Sequence, residues 1–198
     1  MNLLLAAKSC IASLLAAGPL LFAPLALAND ESLRKQTDEA RKLATRILSQ
    51  IRSEMGRELE NGGPLRAVVV CKYSAPEITS TISRQSGARV TRISLKPRNR
   101  AIGEADAWEQ GVLLDFERQI AKGEKAADLE YSAIVHEPVG SYFRYVKAIP
   151  MNAACLACHG PTVSEAMKSL LSAEYPHDKA VDYAVGQLRG AVSIKKPL

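Results

Sequence analysis

Apolar and polar positions along the chain mark out helices first and strands later. Leu33, Ala40, Leu43, Ala44, Ile47, Leu48, Ile51, Met55 and Leu59 recur at spacings of three, four and seven, with charges between them. That period predicts an amphipathic helix. It runs from about Glu31 to Glu60, within residues 29–62, and would be ~45 Å long at 1.5 Å per residue. Asn61-Gly62-Gly63 stops it. A strict heptad fails at Glu54 and Glu58, so an ordinary packed helix and a dimerisation or signalling helix both stay open. Pro64 opens a second helix at a favoured early position. The apolar run Ala67 to Cys71 predicts that this segment is buried. Ser74-Ala75-Pro76-Glu77 reads as a capping box before a helix over Ala75–Arg84, which Ser86-Gly87 ends.

Alternation takes over further on. Val90, Ile93 and Leu95 suggest a strand over Arg89–Leu95, followed by the basic loop Lys96-Pro97-Arg98-Asn99-Arg100. Asp106-Ala107-Trp108-Glu109 is a second capping box. It starts a helix with Trp108, Val112, Leu113, Phe116 and Ile120 on one face. Leu129–His136 and Tyr142–Ile149 read as two strands of a hairpin closed by Glu137-Pro138-Val139-Gly140. In the second strand Tyr142, Arg144, Val146 and Ala148 point one way, and Phe143, Tyr145, Lys147 and Ile149 the other. A short helix over Val163–Ala173, a loop at Tyr175-Pro176-His177-Asp178 and a strand over Gly190–Ile194 complete the chain. Helices first, then strands with inserted helices, give α+β with a mainly antiparallel sheet.

The first 28 residues read differently. Lys8 is the only charge before Asp30, an apolar run covers Ile11 to Leu27, and Ala26-Leu27-Ala28 is a small-x-small cleavage site. These are the marks of a secretory signal peptide, and Pro19 and Pro24 argue against a permanent membrane helix. Cleavage after Ala28 of the 198-residue chain leaves 170 residues, enough for one domain over 29–198. The expected setting is the periplasm, and the mature protein is expected to be soluble, with no membrane span. Without Lys8 there are 25 basic and 21 acidic residues, a formal charge of +4. The charges are interspersed; the weak positive field suits an acidic protein partner and gives no argument for nucleic acid.

Candidate chemistry centres on Cys155-Leu156-Ala157-Cys158-His159. C-x-x-C-H in an exported protein predicts covalent haem c attachment, one group per chain. Two thiols three positions apart add to the two vinyl groups of one haem, and His159 becomes the proximal iron ligand. The other readings are a redox pair, a disulfide or half of a zinc site. A zinc site needs a second pair of ligands, which the sequence does not offer, and a thioredoxin-like motif needs a βαβ setting. Cys71 is then a lone thiol in an oxidising compartment. It is either a buried core residue or a thiolate ligand of the iron. Arg98 is either an exposed loop charge or a partner for a haem propionate. The sixth ligand is open among Cys71, His136, His177, Met55, Met151 and Met167, with Cys71 favoured.

Several segments, taken in order, resemble a bacterial family of secreted single-haem proteins with a PAS-like fold. They are Val70-Cys71 followed by Ala75-Pro76-Glu77-Ile78, Ser94-Leu95-Lys96-Pro97-Arg98-Asn99, and Trp108-Glu109. Next come Phe143-Arg144-Tyr145, Pro150-Met151, Cys155 through Gly160, Tyr175 through Ala180, and Leu188-Arg189-Gly190-Ala191. The same domain occurs in some sensor kinases and chemoreceptors. The resemblance implies covalent haem with the motif histidine as one axial ligand and a cysteine, here Cys71, as the other. His177 departs from the acidic residue more usual in its loop.

Three functions follow as expectations. A redox or small-ligand sensor would switch its His159–iron–Cys71 ligation on reduction and admit a diatomic gas. It would act on an unidentified redox or signalling protein, or through a homodimer. An electron-transfer cytochrome would keep its iron six-coordinate. An enzyme such as a peroxidase would need an open iron site and a distal acid–base residue, and no motif supplies one. The expectation is therefore a sensor, with the electron carrier as alternative, and no enzyme.

Overall fold

A computed structural model describes residues 23–198 of the protein, with side chains from Asp30 onward. Most of the expected signal peptide lies outside the described residues. The first helix, α1, spans Ala23–Val69 and is broken at Gly63, where φ is 70° and ψ −170°. That backbone conformation is open to glycine and costly for other residues. Pro64 then restarts the helix without needing the amide hydrogen that the break leaves unmatched. The sequence therefore marks the break correctly. It overstates burial beyond it: Ala67, Val68 and Val70 are buried, but Leu65 and Val69 are exposed. An apolar run on a helix still turns only one face inward.

The expected capping box at Ser74 does not form. Ser74 is itself helical and makes no side-chain cap. A π-helical turn over Val70–Ser74 carries the chain straight from α1 into α2, Ala75–Ser86, with the Ala75 amide donating to the Val70 carbonyl. With no helix end here, no orphan donors are left for Ser74 to satisfy. By contrast, Asp106 and Glu109 form both halves of their box at the start of α4, Ala107–Ala121. Between them lie β1 (Arg89–Ile93), two residues shorter than the predicted strand, and a short helix, α3 (Arg100–Gly103), which starts at the end of the basic loop and which the sequence does not predict.

The expected hairpin forms, β2 (Glu130–Glu137) pairing with β3 (Gly140–Pro150) and closed by Pro138-Val139. Two more single-turn or short helices follow, a 3₁₀ turn over Ala153–Cys155 and α5 (Leu156–His159). Then come α6 (Glu165–Glu174) and β4 (Leu188–Pro197). The four strands form one antiparallel sheet in the order β1-β4-β3-β2. Helices cover both of its faces. Ala44, Ile47 and Ile51 of α1, with Ile82 of α2, pack on Phe143, Tyr145, Val192 and Ile194. Val112, Leu113 and Phe116 of α4 pack on Val146, Ala148 and Ala191 from the other side. The alternation along β3 thus points as the sequence predicts. Double coverage also explains why β4 is buried without alternation from Gly190 to Ile194, Ser193 included.

Polar contacts fix each layer on the sheet. Arg144 of β3 is buried beneath α4, its guanidinium 2.6 Å from Asp106 and 3.2 Å from Glu109, and 4.3 Å from the Trp108 ring centroid. On the other face Arg41 of α1 donates through Nε to both Glu130 oxygens at 2.8 and 3.0 Å, and the Tyr145 hydroxyl donates to the same carboxylate at 2.8 Å. The Arg41 hydrogen bond outweighs the effect of burial and holds the Glu130 carboxyl below its ordinary value of 4.5. A depressed folded-state value contributes stability above the unfolded value, and that contribution is lost as pH falls through the folded one. Glu130→Gln should therefore cost about 1–2 kcal/mol near neutral pH. In urea unfolding at a series of pH values, the gap to the wild type should close below about pH 4.

Candidate functional site

Cys155, Cys158 and His159 sit on the two short turns that follow β3. Cys155 is exposed, Cys158 half-buried and His159 buried. The His159 Nδ1 lies 2.7 Å from the Ala180 carbonyl. A carbonyl only accepts, so Nδ1 carries the hydrogen and Nε2 is left with a free lone pair. Burial, joined by the charges of Arg189 and Arg98, pushes the imidazole pKa down to about 2. The ring is therefore neutral, oriented and ready to ligate a metal through Nε2.

A second group of contacts fixes the backbone around it. Arg98 is buried, not an exposed loop charge. Its Nε donates to Asp178 Oδ2 at 2.9 Å, and its Nη2 donates to the carbonyls of Cys158 at 2.5 Å and Ala180 at 3.3 Å. Asp178 Oδ1 accepts from the Ala180 amide at 2.7 Å. The Tyr183 amide donates to the His159 carbonyl at 2.9 Å, and the Lys179 amide to the Pro97 carbonyl at 3.1 Å. The Lys96–Arg100 loop, the cysteine motif and the Tyr175–Tyr183 loop are thus one unit.

A cavity of about 360 Å³ opens beside this unit, between α2, β1 and the Pro97–Asn99 loop. That is within the size range of small-molecule sites. Both Cys71 and His159 border it. Cys71 reaches it from the π-helical turn, which the Lys72–Glu174 ion pair ties to α6. Helix irregularities of this kind often re-aim a functional side chain. The other histidines lie elsewhere: His136 is exposed and bonded to Ser141 beside the hairpin turn, and His177 is exposed and borders a different pocket with Arg100 and Glu104. Met151 and Met167 are buried in separate core clusters. Of the candidate sixth ligands, the fold brings Cys71 to the cavity that His159 borders.

The cavity wall is cationic. Arg92 and Arg189 border it with Arg98, and burial lowers the Arg189 guanidinium pKa. Gly190 follows Arg189 at φ 153°, where a Cβ would meet the Ile93 carbonyl at 2.2 Å, so only glycine lets β4 approach β1 here. Sequence reasoning gave no role to Arg92, Arg189, Asp178 or Tyr175. The usable signal was an arginine placed inside a strand that otherwise buries its side chains. Cys71, Cys155 and Cys158 are free thiols, and burial pushes the Cys158 thiol up. Among the described residues no group of three or more His, Cys, Asp or Glu side chains gathers, so a zinc cage has no second pair. The donor set is one imidazole nitrogen and one thiol on a shared cavity, two more thiols beside it, and several arginines. This fits an anionic, metal-bearing group such as haem, with its two carboxylates.

The fold and site together define an α+β domain with a helix-covered antiparallel sheet and a cysteine–histidine cavity at one edge. The chain belongs to the Tll0287-like family, whose model matches residues 29–197. Among solved structures it is similar to the crystal structure of the cyanobacterial heme-protein Tll0287. The TM-score is 0.57 at 22% identity, over 88% of this chain and 96% of that one, which establishes a shared fold. No curated protein matches the chain.

The clamp around Arg98 is open to a direct test. Arg98→Met leaves the nearly buried Asp178 carboxylate without its cation and takes one donor from each of the Cys158 and Ala180 carbonyls. Breaking such a pair costs about 3–5 kcal/mol, and urea unfolding should register the loss, whereas Arg84→Met on the exposed face of α2 should change stability by less than about 0.5 kcal/mol.

Proposed function

We propose that this protein is a periplasmic c-type protein carrying one covalent haem, with His159 and Cys71 as axial ligands, and that it acts as a redox or small-ligand sensor. The observation that carries the proposal is one cavity bordered by both the His159 imidazole and the Cys71 thiol. Membership of a family whose solved relative is a heme-protein supports it. The antiparallel sheet with helices on both faces suits the PAS-like reading of the fold. The family match begins at residue 29, next to the expected cleavage site, and no described helix is long and apolar enough to cross a membrane. Both are compatible with an exported protein.

When bound, haem would supply a one-electron iron centre. The chain's residues do the rest. Cys155 and Cys158 anchor the group through thioether bonds. His159 holds its Nδ1 hydrogen on Ala180 and offers Nε2. Arg98, Arg92 and Arg189 balance the propionate charge. Cys71, as a thiolate, would be an anionic donor that favours the ferric state. A reduced iron would hold that sulfur more weakly, and a Cys71 that took a proton from solvent would make room for a small ligand such as a diatomic gas. Because Cys71 sits on the π-helical turn that continues α1, its release would act on the end of that helix. The helix would be the route to a signalling partner or a second copy.

A second reading is an electron carrier whose iron stays six-coordinate. The exposure of Cys155 favours it, since a haem edge at the surface exchanges electrons readily. We propose no enzymatic activity. Absorption spectra of haem-loaded wild type and Cys71→Ser, ferric and then ferrous with and without carbon monoxide, test the ligation and separate the two roles. The proposal expects thiolate charge-transfer bands that vanish in Cys71→Ser, and carbon monoxide binding to the reduced wild type alone among its two oxidation states. Thiolate bands with no carbon monoxide binding on reduction indicate the carrier. A spectrum unaltered by Cys71→Ser rejects Cys71 as a ligand.

A further inference from the structure

Tyr175 has a buried hydroxyl with nothing to bond. The residue is 7% exposed and borders the cavity, and its hydroxyl oxygen has no hydrogen-bond partner. Leaving such a donor unmade is costly, so an orphaned one calls for a partner. The ring cannot swing away to find one. It packs on Val68, Met167 and Leu171, and the Arg98 guanidinium carbon lies 5.9 Å from its centroid. The Tyr175 amide is held by the Leu171 carbonyl and its own carbonyl accepts from Asp178, both at the end of α6.

The surrounding groups narrow the choice of acceptor. Arg98 and Arg92 carry donors only. Asp178 turns one oxygen to Arg98 and the other to the Ala180 amide and makes no hydrogen bond with the Tyr175 hydroxyl. Cys71 remains, on the wall of the same cavity. Burial pushes the Tyr175 hydroxyl up to about 12, with a charge on Cys71 the next contribution. A tyrosine hydroxyl is protonated at neutral pH and so has a hydrogen to donate into the cavity that Cys71 also borders. A neutral thiol is a weak acceptor, but a thiolate is a strong one.

We propose that the Tyr175 hydroxyl donates a hydrogen bond to the Cys71 thiolate in the haem-loaded protein and so sets how strongly that sulfur binds iron. This rests on the His159–Cys71 ligation proposed above. Tyr175 is a positioning residue: it acts on the iron through Cys71. Its hydrogen bond draws electron density off the sulfur and weakens donation to ferric iron. It also holds a proton next to the sulfur, ready for the moment of release.

The test uses haem-loaded wild type, Tyr175→Phe, Cys71→Ser and the double variant. Phenylalanine keeps the ring and its packing and removes only the donor. In Tyr175→Phe the thiolate should donate more strongly, so the ferric form gains roughly tenfold over the ferrous, a fall of ~59 mV in midpoint potential for one electron. The thiolate charge-transfer bands should move with it. In the Cys71→Ser background the same change should leave the potential where it was. An independent readout on unmutated protein is the iron–sulfur stretching frequency, which should shift between H₂O and D₂O. The inference is overturned if Tyr175→Phe alters neither bands nor potential while Cys71→Ser abolishes the bands. It is also overturned if the Tyr175→Phe shift persists undiminished without Cys71, which would assign the hydroxyl to a propionate. A Cys71→Ser spectrum identical to wild type removes the ligation reading itself and this inference with it.

Discussion

The Arg98 guanidinium joins three segments that lie up to 82 residues apart in the chain. It holds the Cys158 carbonyl of the motif, the Asp178 carboxylate and the Ala180 carbonyl at once. The same Ala180 carbonyl fixes the tautomer of His159. One buried cation therefore sets both the position of the motif backbone and the orientation of the imidazole on it. A charge this deep is costly unless paired and fully bonded, and here Asp178 and two carbonyls meet that need. The sheet presents β1 and β4 as the floor, and the rest of the site is built on that clamp.

The second half of the site has a different origin. Cys71 is delivered by the N-terminal helical layer, through a π-helical turn that interrupts the regular period of α1 and α2. The two prospective ligands thus sit on separately supported parts of the molecule. His159 belongs to a loop assembly clamped by Arg98, whereas Cys71 lies on the π-helical turn between the Gly63 break in α1 and the start of α2. This asymmetry is what led us to propose the thiolate side as the one that would switch.

Much of this was legible in the residues. The apolar spacing from Leu33 to Leu59, the Gly62-Gly63-Pro64 break, the Asp106–Glu109 box and the β2–β3 hairpin are local signals, and each forms where expected. The cysteine motif is local too. What the sequence hid depends on distant partners. Ser74 looks like a cap, yet tertiary packing keeps the helix running and leaves it nothing to cap. Arg98 looks like a loop charge because its partners come 60 to 82 residues later. Tyr175 looks like a loop aromatic, and its unpaired hydroxyl exists only once α6 is packed against the end of α1. Leu65 and Val69 look buried because an apolar run does not say which side of a helix faces out.

The central claim is a covalent bond between this chain and a haem, and the mass of the unfolded protein addresses it directly. Protein exported with its signal peptide and isolated from the periplasm should be denatured, digested with trypsin and weighed. The account predicts that the peptide spanning Ala148–Lys168 is heavier by one haem, with neither Cys155 nor Cys158 open to alkylation, while the Cys71 peptide alkylates normally. A peptide of unmodified mass with both thiols alkylated or joined as a disulfide would contradict it.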